Sequence, residues 1–212
     1  LLLKLKKWKD LCHLLLNRVD EFFKRTLAKG CQPGDWEAPM YIELVKYPDV
    51  FLRFVSKDVP FPLDDKTERL IKFMSKAMYQ HHGIGLAAIQ VGYQLRMFVM
   101  DCTRAQESPQ VFINPVIVKN SEETLTDFEG CLSAPGKRGE VKRYLRIVLK
   151  YQDKEGAEHQ KTFYDLEARC IQHEMDHLEG KLCIDYEKGE YSRDKHKSQT
   201  MVESDFRAKS DT

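Results

Sequence analysis

Two histidines four positions apart, in Gln172-His173-Glu174-Met175-Asp176-His177, restrict this chain more than any other part of its 212 residues. Side chains at i and i+4 share one face on an α-helix, so two imidazoles with a common purpose require that segment to be helical. The apolar spacing from Leu166 to Leu178 predicts such a helix, and Gly180 follows where it should end. On one face His173 and His177 can reach a single metal ion, and Glu174 can hold a water beside it. The competing reading of the same letters is a charged surface helix end. A catalytic centre would need a third protein ligand and one open position. Two sources stand open for that ligand. One is a nearby carboxylate. The other is Cys131 in Glu129-Gly130-Cys131-Leu132-Ser133-Ala134-Pro135-Gly136, where glycines and a proline make a shaped turn.

The rest of the pattern divides the chain into three zones. In residues 1–39, Leu5, Trp8, Leu11, Leu15, Val19, Phe22, Phe23 and Leu27 give an amphipathic helix, followed by turn chemistry at Gln32-Pro33-Gly34-Asp35. A helix packed on its own domain or a neighbour competes there with a targeting presequence, which Asp10, Asp20 and Glu21 disfavour. Residues 40–186 hold the domain. Tyr41–Val45 reads as a short strand, and Asp64 or Asp65 caps a helix through Leu70, Phe73, Met74, Ala77 and Met78 up to Gly83. Strands follow at Met97–Met100, at Val111–Val118 with Pro115 marking an edge or bulge, and at Val141–Tyr151. A turn at 153–156 leads into a strand around 158–164. Several strands and one late helix predict an α+β domain, antiparallel β-sheets wrapped around a central helix that carries the HEMDH motif. Residues 187–212 read as a polar C-terminal tail.

Composition removes some partners. Lys+Arg (34) and Asp+Glu (33) nearly cancel, which gives no support for bulk attraction to nucleic acid or an anionic membrane. No run of about 18 apolar residues is present to span a bilayer. Six cysteines scattered through a chain of this size fit a reducing compartment better than a disulfide-stapled fold, so the expected location is cytoplasmic, or organellar if residues 1–39 are a presequence. A third segment, Gly83-Ile84-Gly85-Leu86-Ala87-Ala88-Ile89-Gln90, lets another backbone approach closely through its glycines. Taken alone, it also fits a tight connection with Gln90 exposed.

Together the three segments resemble the peptide deformylase family. That family is marked by a Gly-apolar-Gly-apolar-Ala-Ala-x-Gln segment, then Glu-Gly-Cys-Leu-Ser, then Gln-His-Glu-x-Asp-His, and all three stand here in that order without a substitution. The likeness extends to Val45-Lys46-Tyr47-Pro48-Asp49, to Pro135–Val141 and to Leu178-Glu179-Gly180. It implies a hydrolase that removes the N-formyl group from the formyl-methionine of newly made proteins. It implies one divalent metal on Cys131, His173 and His177 with water as fourth ligand; Fe2+ is the usual native metal, and Zn2+ or Ni2+ can occupy the site. Glu174 would act as general base and acid, with the Gln90 amide and the Leu132 N–H as oxyanion donors. The peptide would pair strand-like with the segment around Ile84-Gly85 and with the stretch after Cys131, and Gly130 would also bind it. Its methionine would enter a pocket of Ile84, Leu166, Cys170 and the His173 ring, with Arg138 further along. Glu129 and Arg143 resemble a structural ion pair that holds the metal loop.

Many bacterial members carry a basic C-terminal helix implicated in ribosome docking, whereas the tail here has balanced charge. A transient encounter with the ribosome exit region is still the expected partner contact besides the substrate, with no specific nucleic acid and no membrane. Two other classes compete. A zinc peptidase would take a carboxylate as third ligand, and a non-catalytic metal-stabilised domain would close the site with Cys170 or Cys183.

Overall fold

The computed structural model describes residues 43–186, apart from 104, 106 and 107. All of them except Glu43 belong to one compact unit, Leu44–Thr212. The amphipathic segment and polar tail read from the sequence therefore lie outside the described residues. Helix α1 (Asp65–Gln80) starts at Asp64, whose carboxylate accepts the Thr67 N–H at 2.7 Å. It buries Leu70, Ile71, Met74, Ala77 and Met78 along one face. It stops three residues before Gly83, because His82 takes a positive φ of 56°.

A five-stranded antiparallel sheet runs in the order β1 (Gly85–Ala87), β2 (Met97–Met100), β3 (Gln110–Asn120), β6 (Arg146–Gln152) and β7 (Glu158–Tyr164). A second sheet is the hairpin of β4 (Thr124–Gly130) and β5 (Arg138–Tyr144). Helix α2 (Asp165–Leu178) follows β7 directly. The change of direction falls on Asp165, which has φ 47° and whose N–H bonds the Leu145 carbonyl. The inner face of α2, through Ala168, Cys170, Ile171, Met175 and Leu178, completes a core with Phe98, Phe112, Ile147, Leu149 and Phe163. Phe112 is its centre, stacked on Phe98 at 4.8 Å and edge-on to Phe163 at 5.8 Å. The α+β class, with antiparallel sheets around the motif helix, is the architecture observed.

Two local expectations change, and a third narrows to one of its alternatives. Residues 43–46 form no strand; Val45 N–H bonds the Gln90 carbonyl and Tyr47 N–H the Ser133 carbonyl, single anchors rather than a ladder. The run Val141–Tyr151 breaks at Leu145 into β5 and β6, which belong to different sheets. Pro115 lies inside a central strand, so of the two expected settings, an edge or a bulge, the bulge is the one observed. The β3–β6 register shifts between Ile113 and Val116, and Asn114 adopts φ 49°, so the missing proline N–H falls in an irregularity.

Candidate metal and peptide site

Helix α2 presents Leu166, Cys170, His173 and His177 along one side, at the i, i+3 and i+4 spacings that superimpose on a helix. β4 ends at Gly130 and delivers Cys131 to that side. Cys131 Sγ lies 3.2 Å from His177 Nε2. One ligand atom from each of Cys131, His173 and His177 lies within 4.8 Å of the others, and this is the group among the described residues that could hold a metal ion. Neither Cys170 nor Cys183 belongs to it. The carboxylate of Glu129 is engaged by Arg143, Arg169 and His173, so Cys131 is the donor that stands with the two histidines in that group.

His173 is oriented from behind. Its Nδ1 lies 2.9 Å from Glu129 Oε2, so Nε2 is free to face the centre. Glu129 also accepts Arg143 Nε at 3.0 Å, Arg143 Nη2 at 2.9 Å and Arg169 Nη1 at 2.7 Å. Burial alone would push this carboxyl up, but the His173 and Arg143 bonds outweigh it and hold Glu129 well below the usual range. Arg143 continues to Asp176 Oδ2 at 2.6 Å, which Tyr186 OH reaches at 2.8 Å. The expected Glu129–Arg143 pair is present. Arg169, Asp176 and Tyr186 were not foreseen as its partners, because they meet it only through packing of β4, β5 and α2.

Glu174 lies on the same helix, buried, and its Oε2 has no hydrogen-bond partner. Burial pushes its carboxyl up to about 7. The residue above it is Gly85 on β1. A Cβ there would sit 2.4 Å from Glu174 Oε1 and 2.7 Å from Cys170 Sγ, so this close approach requires glycine. Burial also drives His177 well below the ordinary imidazole value, which leaves it neutral and fit to donate a lone pair.

Gln90 is 2% exposed, which removes the solvent-facing alternative. Its Oε1 accepts the Ala87 N–H at 2.8 Å, and its Nε2 donates to Ser133 Oγ at 3.1 Å while lying 3.8 Å from Cys131 Sγ. Ser133 gave no signal beyond its place in the motif. Leu132 covers the glycine segment, its Cδ1 2.6 Å from where a Cβ on Gly83 would be. Ile84 packs against the core beside Cys170, which is buried. Leu166, one turn earlier, is 53% exposed, so that side of the region opens to solvent. Gly130 and Arg138 face each other at the loop end of the hairpin, where a Cβ on Gly130 would meet nothing within 4 Å. Among the described residues β1 forms one edge of the larger sheet and β4 pairs only with β5, which leaves a strand edge on each without a strand partner there.

The class of protein is a hydrolase, as the family and the relatives that this chain matches show. Residues 41–192 match the family described as Polypeptide deformylase. A peptide deformylase of Bartonella henselae is 45% identical over 68% of this chain and 82% of its own length. That of Rhizobium meliloti is 46% identical over 68% and 83%. Among solved structures, the Plasmodium falciparum peptide deformylase in complex with an inhibitor matches with TM-score 0.63 and 39% identity, covering 69% of this chain and 90% of that one. The Thermotoga maritima peptide deformylase gives 0.64 and 39%, covering 68% and 95%. The chain belongs to the peptide deformylase family.

Proposed function

We propose that this chain hydrolyses the formamide bond of N-terminal formyl-methionine on newly made proteins, using a divalent cation held by Cys131, His173 and His177 and Glu174 as general acid and base. The observation that carries the reading is the convergence of those three donors within 4.8 Å, beside a buried carboxylate oxygen that has no partner. A thiolate with two imidazoles suits a transition-metal dication; Fe2+ is the native ion of this reading, and Zn2+ or Ni2+ fit the same donors. When bound, the cation supplies a Lewis acid that polarises the formyl oxygen and makes water acidic enough to attack.

The remaining work falls to the chain. Glu174 takes the proton of the attacking water and returns it to the leaving amine nitrogen, so that formamide plus water yields formate and a free N-terminus. A carboxyl at about 7 is balanced for both transfers near neutral pH. The Gln90 amide is already pinned by Ala87 and Ser133, and with the Leu132 N–H it donates to the oxygen on which charge develops. The peptide lies extended between the strand edges at Ile84-Gly85 and Gly130. Its methionine side chain is received by Ile84, Leu166, Cys170 and the His173 ring, and Arg138 meets residues beyond it. Such N-termini first emerge at the ribosome exit region in the cytoplasm, which is where a transient encounter would occur. No helix among the described residues is long and apolar enough to cross a membrane.

The test is formate release from a short formyl-Met peptide by the iron-loaded chain with oxygen excluded. Activity that is lost in air and preserved with nickel supports a thiolate-held iron. A folded, metal-loaded chain that releases no formate overturns the reading.

A further inference from the structure

Two thiols outside the metal group meet beneath the start of β1. Cys170 on α2 faces the Ile84 carbonyl with Sγ 3.7 Å from the oxygen. The same oxygen accepts the Asp101 N–H at 2.8 Å, and Cys102 is the next residue along the chain. Cys102 is half-buried and packs against the core cluster that contains Cys170. Both thiols are free, and they are hydrogen-bonded to each other. Their roles in that bond differ. It raises the thiol of Cys170, which burial raises further, and lowers that of Cys102. Cys102 is the less buried of the two and so the sulfur that a small disulfide meets first, with a second thiol in contact to resolve the product.

We propose that Cys102 and Cys170 form a thiol–disulfide exchange site for a small-molecule disulfide of the glutathione type, and that the closed pair restricts the peptide site at Ile84-Gly85. Cys102 thiolate attacks one sulfur of the small disulfide, whose S–S bond breaks and releases one thiolate. Cys170 then attacks the Cys102 sulfur, and its proton leaves with the second small thiol. Two protein thiols are oxidised and one disulfide is reduced to two thiols. Closure draws the Cys170 sulfur off the Ile84 carbonyl and away from the contact it makes under Gly85. The consequence for the peptide rests on the deformylase reading, in which these residues receive the substrate.

The experiment uses the full nickel-loaded chain equilibrated with reduced and oxidised glutathione, followed by alkylation, tryptic mapping and kinetics on a formyl-Met peptide. The expected product links Met97–Arg104 to Cys170–Lys181. Alongside it, KM should rise about threefold or more at unchanged metal content and recover with dithiothreitol. Cys102→Ser should show neither the link nor the response, at unchanged activity under reducing conditions. A mixed disulfide that stays on Cys102, or no modification at either residue, overturns the exchange site. Complete linkage with unchanged KM overturns the restriction. If the reduced chain releases no formate, the deformylase reading fails, and the peptide map still decides the thiol pair on its own.

Discussion

A single methyl group separates Gly85 from a collision with the Glu174 carboxylate, since its Cβ would lie 2.4 Å from Oε1. An added methyl would press on that carboxylate from β1, so the displacement falls on the group proposed as proton carrier. Gly85→Ala should therefore lower kcat/KM by about 100-fold, the scale of a displacement near 1 Å, while metal stoichiometry stays at the wild-type level. Metal analysis beside steady-state kinetics checks both halves. Full activity in Gly85→Ala would mean that the carboxylate position is not critical. Glu174→Ala asks the complementary question. The metal should be retained and kcat should fall by about 100-fold or more, because the proton carrier is gone while the donors stand. A metal-loaded Glu174→Ala protein that turns over normally would remove Glu174 from the role.

Between elements, the Glu129 carboxylate joins β4 to β5 through Arg143 and to α2 through Arg169 and His173. This network fixes where Cys131 stands relative to the two histidines. It also makes the fold sensitive to acid. Glu129 is held well below the ordinary carboxylate range. At Asp101 burial works upward, but bonds from Thr103, Tyr79 and the Ser108 N–H outweigh it and hold the group at about 2. Folded pKa values below the unfolded ones mean that the stabilisation is whole above about pH 4 and is lost as pH falls from there through about 2. Melting temperature should thus fall over that interval, and Glu129→Gln or Asp101→Asn should flatten the fall. A wild-type melting temperature constant from pH 4 to 2 would contradict this. Elements of this kind differ in how plainly the sequence announces them. α1 and α2 show their apolar faces, and β7 is announced by the turn before it. β4 buries only Glu129 well, leaving Leu125, Asp127 and Phe128 in solvent, so it has no hydrophobic alternation to detect. The break at Leu145 is silent because residues on both sides favour strands. Cys131, His173, His177 and Gln90 were legible from spacing and motif, whereas Ser133, Arg169, Asp176 and Tyr186 join them only through tertiary contact.

At the scale of the whole molecule, the residues given chemical roles lie between Ile84 and His177, but the structure that supports them reaches further on both sides. Upstream, Val45 N–H holds the Gln90 carbonyl and Tyr47 N–H the Ser133 carbonyl, so a chain cut beyond residue 44 would loosen both the amide and the cysteine loop. Downstream, Tyr186 bonds Asp176, Arg53 pairs with Asp185, and the Cys183 carbonyl packs so closely on Gly139 that a Cβ there would lie 1.9 Å from it. A stretch of residues 40–186 contains all of those anchors. The apolar stripe read from residues 1–39 would be costly to leave in water, at roughly 25 cal/mol per Å2, so it should pack against this domain, a second copy or a partner. A chain truncated to residues 40–186 should then keep its metal stoichiometry and its kcat/KM on a short formyl-Met peptide within about twofold, since no proposed chemical group is removed. Lower solubility of the truncated chain would indicate that the stripe covers the catalytic domain itself. If the truncated chain is soluble and folded by circular dichroism yet loses metal and turnover, a contribution from residues 1–39 or 187–212 reaches the site and the functional unit is larger than 40–186.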